Sequence, residues 1–145
     1  MLKYFNSILI ILLLALIGGC SGNKATSQNN LYYDVGERQG IERLVDAFIQ
    51  RIGQDETILP YFAKSSVSHF RAGFIEHFCD VVGGPCQYQG DTMKDIHTGM
   101  SINEASFNRI VELLILAMED VDISYPVQNR ILARLALLRS EVIHI

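Results

Sequence analysis

The sequence predicts an all-α domain. Three observations carry the prediction. Apolar residues recur at the helical spacing of three and four through four separate stretches. Three of those stretches open on Ser or Pro and two close on Gly, as helix boundaries do. No segment alternates apolar and polar residues in the manner of a half-buried strand, and no fixed-period repeat is visible.

The first helix carries Ile41, Leu44, Val45, Phe48, Ile49 and Ile52 on one face. Glu42, Arg43, Asp46 and Arg51 fill the other, and Gly53 closes it. A short segment from Ile58 to Phe62 is interrupted by Pro60. Ser65 and Ser66 are candidate caps for a second helix, whose narrow aromatic stripe is Val67, Phe70, Phe74, Phe78 and Val81. Gly83 and Gly84 end it. Ser101 and Glu104 have capping-box spacing. They precede a long helix with Phe107, Ile110, Val111, Leu114, Ala117, Met118 and Val121 facing inward. Pro126 opens the last helix, which carries Val127, Ile131, Leu135, Leu138 and Val142. Helix-on-helix burial of these stripes is the architecture they allow.

The stretch from Gly83 to Met100 fits this scheme least well. An eighteen-residue connection is long for a compact domain, and such loops are usually functional. It holds Gly-Gly-Pro, Cys86, Tyr88, Gly90, and then Met93-Lys94-Asp95-Ile96-His97 as a single helical turn. A lone His on such a turn is ordinarily solvent-exposed or hydrogen-bonded for structure. Here Met93 and Ile96 flank it, and Phe70, Phe74 and Phe78 recur one turn apart on the preceding helix. An ordinary core would use those aromatics, and so would a flat apolar cofactor.

The amino terminus reads as an export signal. Lys3 precedes an uncharged apolar run from Ile8 to Ile17, which is short of the roughly 20 residues a membrane span needs. Leu16-Ile17-Gly18-Gly19-Cys20 resembles a bacterial lipobox. That resemblance implies a signal peptide over residues 1–19, a lipid on the Cys20 thiol, and anchorage to a membrane. Ser21 at the next position implies the outer membrane of a Gram-negative bacterium. An uncleaved anchor and a signal cut elsewhere are the alternatives. Residues 20–31 then serve as a polar tether, leaving 32–145 as one small domain. Removing Lys3 moves the formal charge of −4 to −5. A mild acidic balance without a basic run excludes nucleic acid and electrostatic membrane binding. Cys79 and Cys86 either pair, as an oxidising compartment permits, or remain two buried thiols.

The residues resemble those of a truncated haemoglobin of the first group, a shortened globin with a two-over-two helical sandwich. The markers are Tyr61-Phe62 at the corner, Gly83-Gly84-Pro85, Tyr88, Gly90, Met93, His97 and Phe107. The other two groups typically carry a Trp on helix G, and this chain has none. The resemblance spans about Leu31 to Val142.

It implies haem b as cofactor, with His97 as the iron ligand and with Phe62, Phe70, Phe74, Phe78 and Met93 as haem contacts. It places Lys94 within reach of a propionate. On the distal side, many members present a Tyr and a Gln that hydrogen-bond oxygen. The matching positions here are Ile49 and Phe74, with Phe70 at the gate, and none of the three donates a hydrogen bond. His69, Tyr33 and Tyr61 are the nearby residues able to swing in. The implied function is reversible binding of a diatomic gas (O2, NO or CO) at an open iron site, with NO dioxygenase-type turnover if a reductant is supplied. The alternatives are a lipid-anchored haem sensor or electron-transfer protein, and a haem-free helical lipoprotein.

Overall fold

A computed structural model describes residues 30–145. The expected signal peptide, Cys20 and most of the tether lie outside these residues. Among the described residues there are only helices, turns and irregular segments. No helix among them is long and apolar enough to cross a membrane.

The helices are α1 (Leu31–Asp34), α2 (Glu37–Gly53), α3 (Val67–Val81), α4 (Met93–His97), α5 (Glu104–Asp120) and α6 (Tyr125–Leu135). Two 3-10 turns join them, Leu59–Phe62 and Ala136–Glu141. Helix α2 is the hub: it lies against both α5 and α3. Ile41, Leu44, Val45, Phe48 and Ile52 are all buried there, as the periodicity requires. The stripe of α5 buries Leu114, Ala117 and Met118 together with Leu113, and α6 contributes Ile131. This is a two-over-two sandwich, with α2 and α3 facing α5 and α6.

Ion pairs lace the rims of the sandwich. Arg71 grips Asp46 through two nitrogens at 2.6 and 2.9 Å, joining α3 to α2. Arg51 grips Asp120 in the same manner at 2.7 and 2.6 Å, joining α2 to α5. Arg109 donates to Asp55 at 2.7 Å, while the other Asp55 oxygen accepts from the Thr57 and Ile58 amides. Each arginine hydrogen bond holds its carboxylate partner below the ordinary range of an aspartate.

Four details differ from the sequence reading. The helical domain reaches back to Asn30, whose side chain caps α1, and Leu31 is fully buried. These two residues belong to the fold rather than to a tether. The α5 cap is Asn103, which accepts from the Ser106 amide at 2.9 Å. Ser101 stands two residues earlier in a left-handed conformation at φ 53°, so the capping box does not form. Val67 is 63% exposed, like Ser66, Ser68 and His69 around it in the first turn of α3. Finally, the last helix stops at Leu135 and tightens into a 3-10 turn. The tail then bends back: His144 N–H donates to Ile102, and Gly99 N–H donates to the Ile145 carbonyl.

Candidate functional site

Helix α3 supplies one wall of the candidate site. Ser66 caps it, accepting from the His69 amide at 3.4 Å. At its far end the Gly84 amide donates to Cys79 O at 2.8 Å and the Gly83 amide to Asp80 O at 2.9 Å. Gly83 sits at φ +78°, the left-handed conformation this helix stop requires.

Between those ends the phenylalanines form a continuous row. Phe62, from the 3-10 turn, meets Phe70 edge-on at 5.0 Å. Phe70 and Phe74 are nearly parallel, 12° apart with centroids at 5.4 Å. Phe74 touches Phe48 at 5.5 Å and Phe78 at 6.0 Å. Phe78 is fully buried, yet Phe62, Phe70 and Phe74 are only half-buried. Apolar rings left partly in water cost roughly 25 cal/mol per Å². A flat apolar group laid against them would recover that cost.

Helix α4 carries the candidate ligand and packs on the Ala136–Glu141 turn. The Thr92 hydroxyl caps it, accepting from the Asp95 amide at 3.1 Å and donating to the Asp95 carboxylate at 2.6 Å. His97 closes the turn and is half-buried. Its Nδ1 lies 2.6 Å from the Met93 carbonyl oxygen. A carbonyl only accepts, so Nδ1 carries the hydrogen. In the neutral ring Nε2 then keeps its lone pair, and the ring is held in one orientation. This is how a protein presents an imidazole to a metal. The tail covers the residues just after it through the Gly99 and Ile102 backbone bonds.

His77 relates the two walls. It lies on α3, and burial lowers its pKa; Asp80 acts in the other direction, and the charge of His97 adds to the lowering. The Tyr88 ring meets His77 edge-on at 5.0 Å, and the Tyr88 hydroxyl donates to the Asp91 carbonyl at 3.1 Å.

The remaining expected residues fall as follows. Ile49, Phe62 and Phe70 share a small apolar cavity of about 130 Å³ with Ile52 and Leu59. Met93 contributes its carbonyl to His97 and is half-buried. Lys94 is exposed, with its carbonyl accepting from the Thr98 hydroxyl. His69 is exposed at the start of α3, Tyr33 is 58% exposed, and neither lines the cavity. The Tyr61 hydroxyl is engaged with Ser106 at 2.9 Å. No expected distal residue supplies a hydrogen-bond donor. A larger surface depression of about 550 Å³ lies between α2 and α5. It is open and lined by paired charges, and it contains none of the candidate residues.

The sequence reading did not anticipate the contact of His77 with Tyr88, because the partners come from different elements. It left the cysteines open; they are paired, with Cα atoms 5.8 Å apart. Among the described residues no group of three or more His, Cys, Asp or Glu is placed to hold a metal ion. A site here would rest on one protein ligand and a cofactor that brings its own donors. The oriented His97 ring and the half-exposed phenylalanines fit haem on those terms.

The profile of the bacterial-like globin family matches residues 30–144, nearly the whole described chain. The chain belongs to the bacterial-like globin family.

This globin is similar to curated group 1 truncated hemoglobins. One from Mycolicibacterium paratuberculosis is 26% identical over 113 residues, covering 78% of this chain and 83% of that protein. One from Nostoc sp. is 30% identical over 90 residues, covering 62% and 76%. Among solved structures, truncated hemoglobin from Tetrahymena pyriformis in its Fe(III) form superposes with TM-score 0.75 at 21% identity, covering 78% of this chain and 97% of that one. The 2/2 hemoglobin of Synechococcus sp., with covalently attached heme, gives 0.75 at 17% identity, covering 80% and 99%. These likenesses establish the truncated two-over-two globin fold.

Proposed function

We propose that this globin holds haem b through His97 Nε2 and reversibly binds a diatomic gas on the face toward Ile49, Phe70 and Phe74. The observation that carries the reading is the Nδ1 hydrogen bond of His97 to Met93 O at 2.6 Å, which frees and aims the other nitrogen. The relatives named above are hemoglobins, and one of the solved structures carries heme, which supports the same cofactor here.

Haem supplies an iron with one position open to a gas; the chain supplies everything else. Phe62, Phe74, Phe78 and Met93 would hold the haem by apolar contact, and Lys94, which is exposed, would pair with a propionate. The distal residues set the ligand preference. Ile49, Phe70 and Phe74 offer no donor, so a gas that acquires negative charge is held less firmly than in a site with one. A charge-assisted hydrogen bond is worth about 1.5–3 kcal/mol. This globin therefore favours CO and NO over stable oxygen storage, and first-group membership remains part of the proposal. Turnover of NO to nitrate is the enzymatic form, and it requires an external reductant. An internally ligated sensor or electron-transfer protein is the weaker reading, because His69 and Tyr33 are exposed.

We further propose export and lipid anchorage through Cys20 to the outer membrane. The Cys79–Cys86 disulfide supports an oxidising compartment.

Absorption spectra of the ferric, ferrous and CO-bound protein test the cofactor and the open site together. A Soret band that shifts on CO addition, and that His97→Ala alters or loses, is expected. No Soret band after haemin addition, with His97→Ala identical to wild type, would overturn the reading. A low-spin six-coordinate ferrous spectrum without gas would favour the internally ligated alternative.

A further inference from the structure

We propose that the Cys79–Cys86 disulfide is a redox-operated brace on the His97 side of the site, holding haem when oxidised and loosening it when reduced. The inference rests on the haem reading of His97. It begins from where the bond lies. Cys79 is on α3, fully buried, one residue after Phe78. Cys86 is half-buried at the start of the connector that ends in α4 and His97. The bond therefore joins the aromatic wall to the ligand-bearing segment.

At its far end α4 packs on the Ala136–Glu141 turn, and the tail bonds Gly99 and Ile102; between Cys86 and α4 the chain is held far less. Among the described residues, no backbone hydrogen bond ties residues 85–91 to another element. After the disulfide, the next hold is the edge contact of Tyr88 with His77, two residues before Cys79 on the same helix. The Tyr88 hydroxyl then donates to Asp91 O, and Thr92 caps α4. Besides the backbone, the path from α3 to His97 thus runs through Cys86, Tyr88, Asp91 and Thr92, with the disulfide as its covalent cross-link. The loop is shaped around it: a Cβ added at Gly84 would lie 2.6 Å from both Cys79 Sγ and Tyr32 Cδ2.

A dithiol is the class of reductant that operates the brace. Its thiolate attacks the more accessible Cys86 sulfur, the Cys79–Cys86 bond breaks, and Cys79 leaves as a thiolate that takes up a proton. The second thiol closes on the mixed disulfide and releases Cys86. Two electrons pass to the protein, and the dithiol ends as a cyclic disulfide. With the bond cut, Tyr88 on His77 is the main remaining hold of residues 85–91 on α3, and α4 is left docked on the C-terminal turn alone.

The test uses the full chain loaded with haem. The rate of haem transfer to excess apomyoglobin is followed with and without tris(carboxyethyl)phosphine, which cuts the bond without adding a thiol that could bind iron. Thiol alkylation and mass confirm the redox state, and far-UV circular dichroism confirms that the helices persist. Reduction is expected to speed transfer about tenfold, a part of the roughly sixtyfold that closing a loop of this size is worth for the unfolded chain. Cys79→Ser/Cys86→Ser should transfer rapidly whether or not the phosphine is present. Equal rates for the oxidised and fully reduced wild type would overturn the brace. If neither form takes up haem, the haem reading is what fails. Limited proteolysis of the apoprotein then decides the brace by itself: faster cleavage within residues 85–92 on reduction supports it, and unchanged cleavage overturns it.

Discussion

Phe74→Gln converts the donor-free distal wall into one that can hold a polar ligand. Phe74 is half-buried and makes ring contacts to Phe70 at 5.4 Å, Phe48 at 5.5 Å and Phe78 at 6.0 Å. Each such pair is worth about 0.5–1.5 kcal/mol beyond burial, so the substitution costs the fold about 1.5–4.5 kcal/mol. The gain is specific to the gas. A glutamine amide donates to the negative charge that oxygen acquires, contributing about 1.5–3 kcal/mol. That corresponds to roughly one to two decades in affinity, expressed mainly as slower release. Carbon monoxide acquires less charge and gains little. Stopped-flow displacement of oxygen, alongside CO release measured on the same sample, reads the difference. The expected outcome is a ratio of oxygen to CO release rates that falls at least tenfold. If both rates change by the same factor, or neither changes, Phe74 does not face the bound gas and the distal assignment fails.

Three further outcomes follow from other parts of the fold. Gly84→Ala places a methyl group against Cys79 Sγ and the Tyr32 ring, neither of which can withdraw. The expected destabilisation is about 1–3 kcal/mol, read as a lowered urea midpoint of the apoprotein. Deleting residues 142–145 removes the backbone bonds to Gly99 and Ile102 and uncovers the segment after His97. Amide exchange should quicken at Thr98–Ile102 while α2 and α5 keep their protection. The third outcome concerns acid. Arg71, Arg109 and Arg51 hold Asp46, Asp55 and Asp120 below the ordinary carboxylate pKa. Their contribution is present above the unfolded value of about 3.9 and is lost as pH falls through the lower folded values. Urea midpoints taken from about pH 6 down to about pH 2.5 should therefore fall steeply at the acid end. Asp120→Asn should be less stable at neutral pH and show a shallower fall; an identical acid profile would remove Asp120 from the account.

Most of the architecture was legible because it depends on period. The α2 stripe from Ile41 to Ile52 is buried as its spacing required except at Ile49, which is half-buried; this helix packs on both α3 and α5. The α3 stripe was harder to read. Its residues share a face, but Val67 is exposed in the first turn and Phe70 and Phe74 are half-buried while Phe78 is fully buried, so equal spacing gave unequal burial. The cap of α5 passed from Ser101 to Asn103, a choice that depends on backbone direction rather than residue type. At the site, His97 stood out through its place in a long connection. The carbonyl that orients it comes from Met93, one turn earlier, and backbone carbonyls leave no mark in a sequence. The pairing of Cys79 with Cys86 and the contact of His77 with Tyr88 depend on how the chain turns at Gly83 and Gly84.

The central claim is that His97 Nε2 binds the iron. His97→Gly with added imidazole tests it most directly, because a free imidazole can stand in the space that the side chain vacates. The variant should take up haem weakly alone. It should regain the wild-type ferrous spectrum and CO response as imidazole is added, and lose them when the imidazole is dialysed away. A variant that binds haem and CO like wild type without imidazole, and does not respond to it, would show that the iron is held elsewhere.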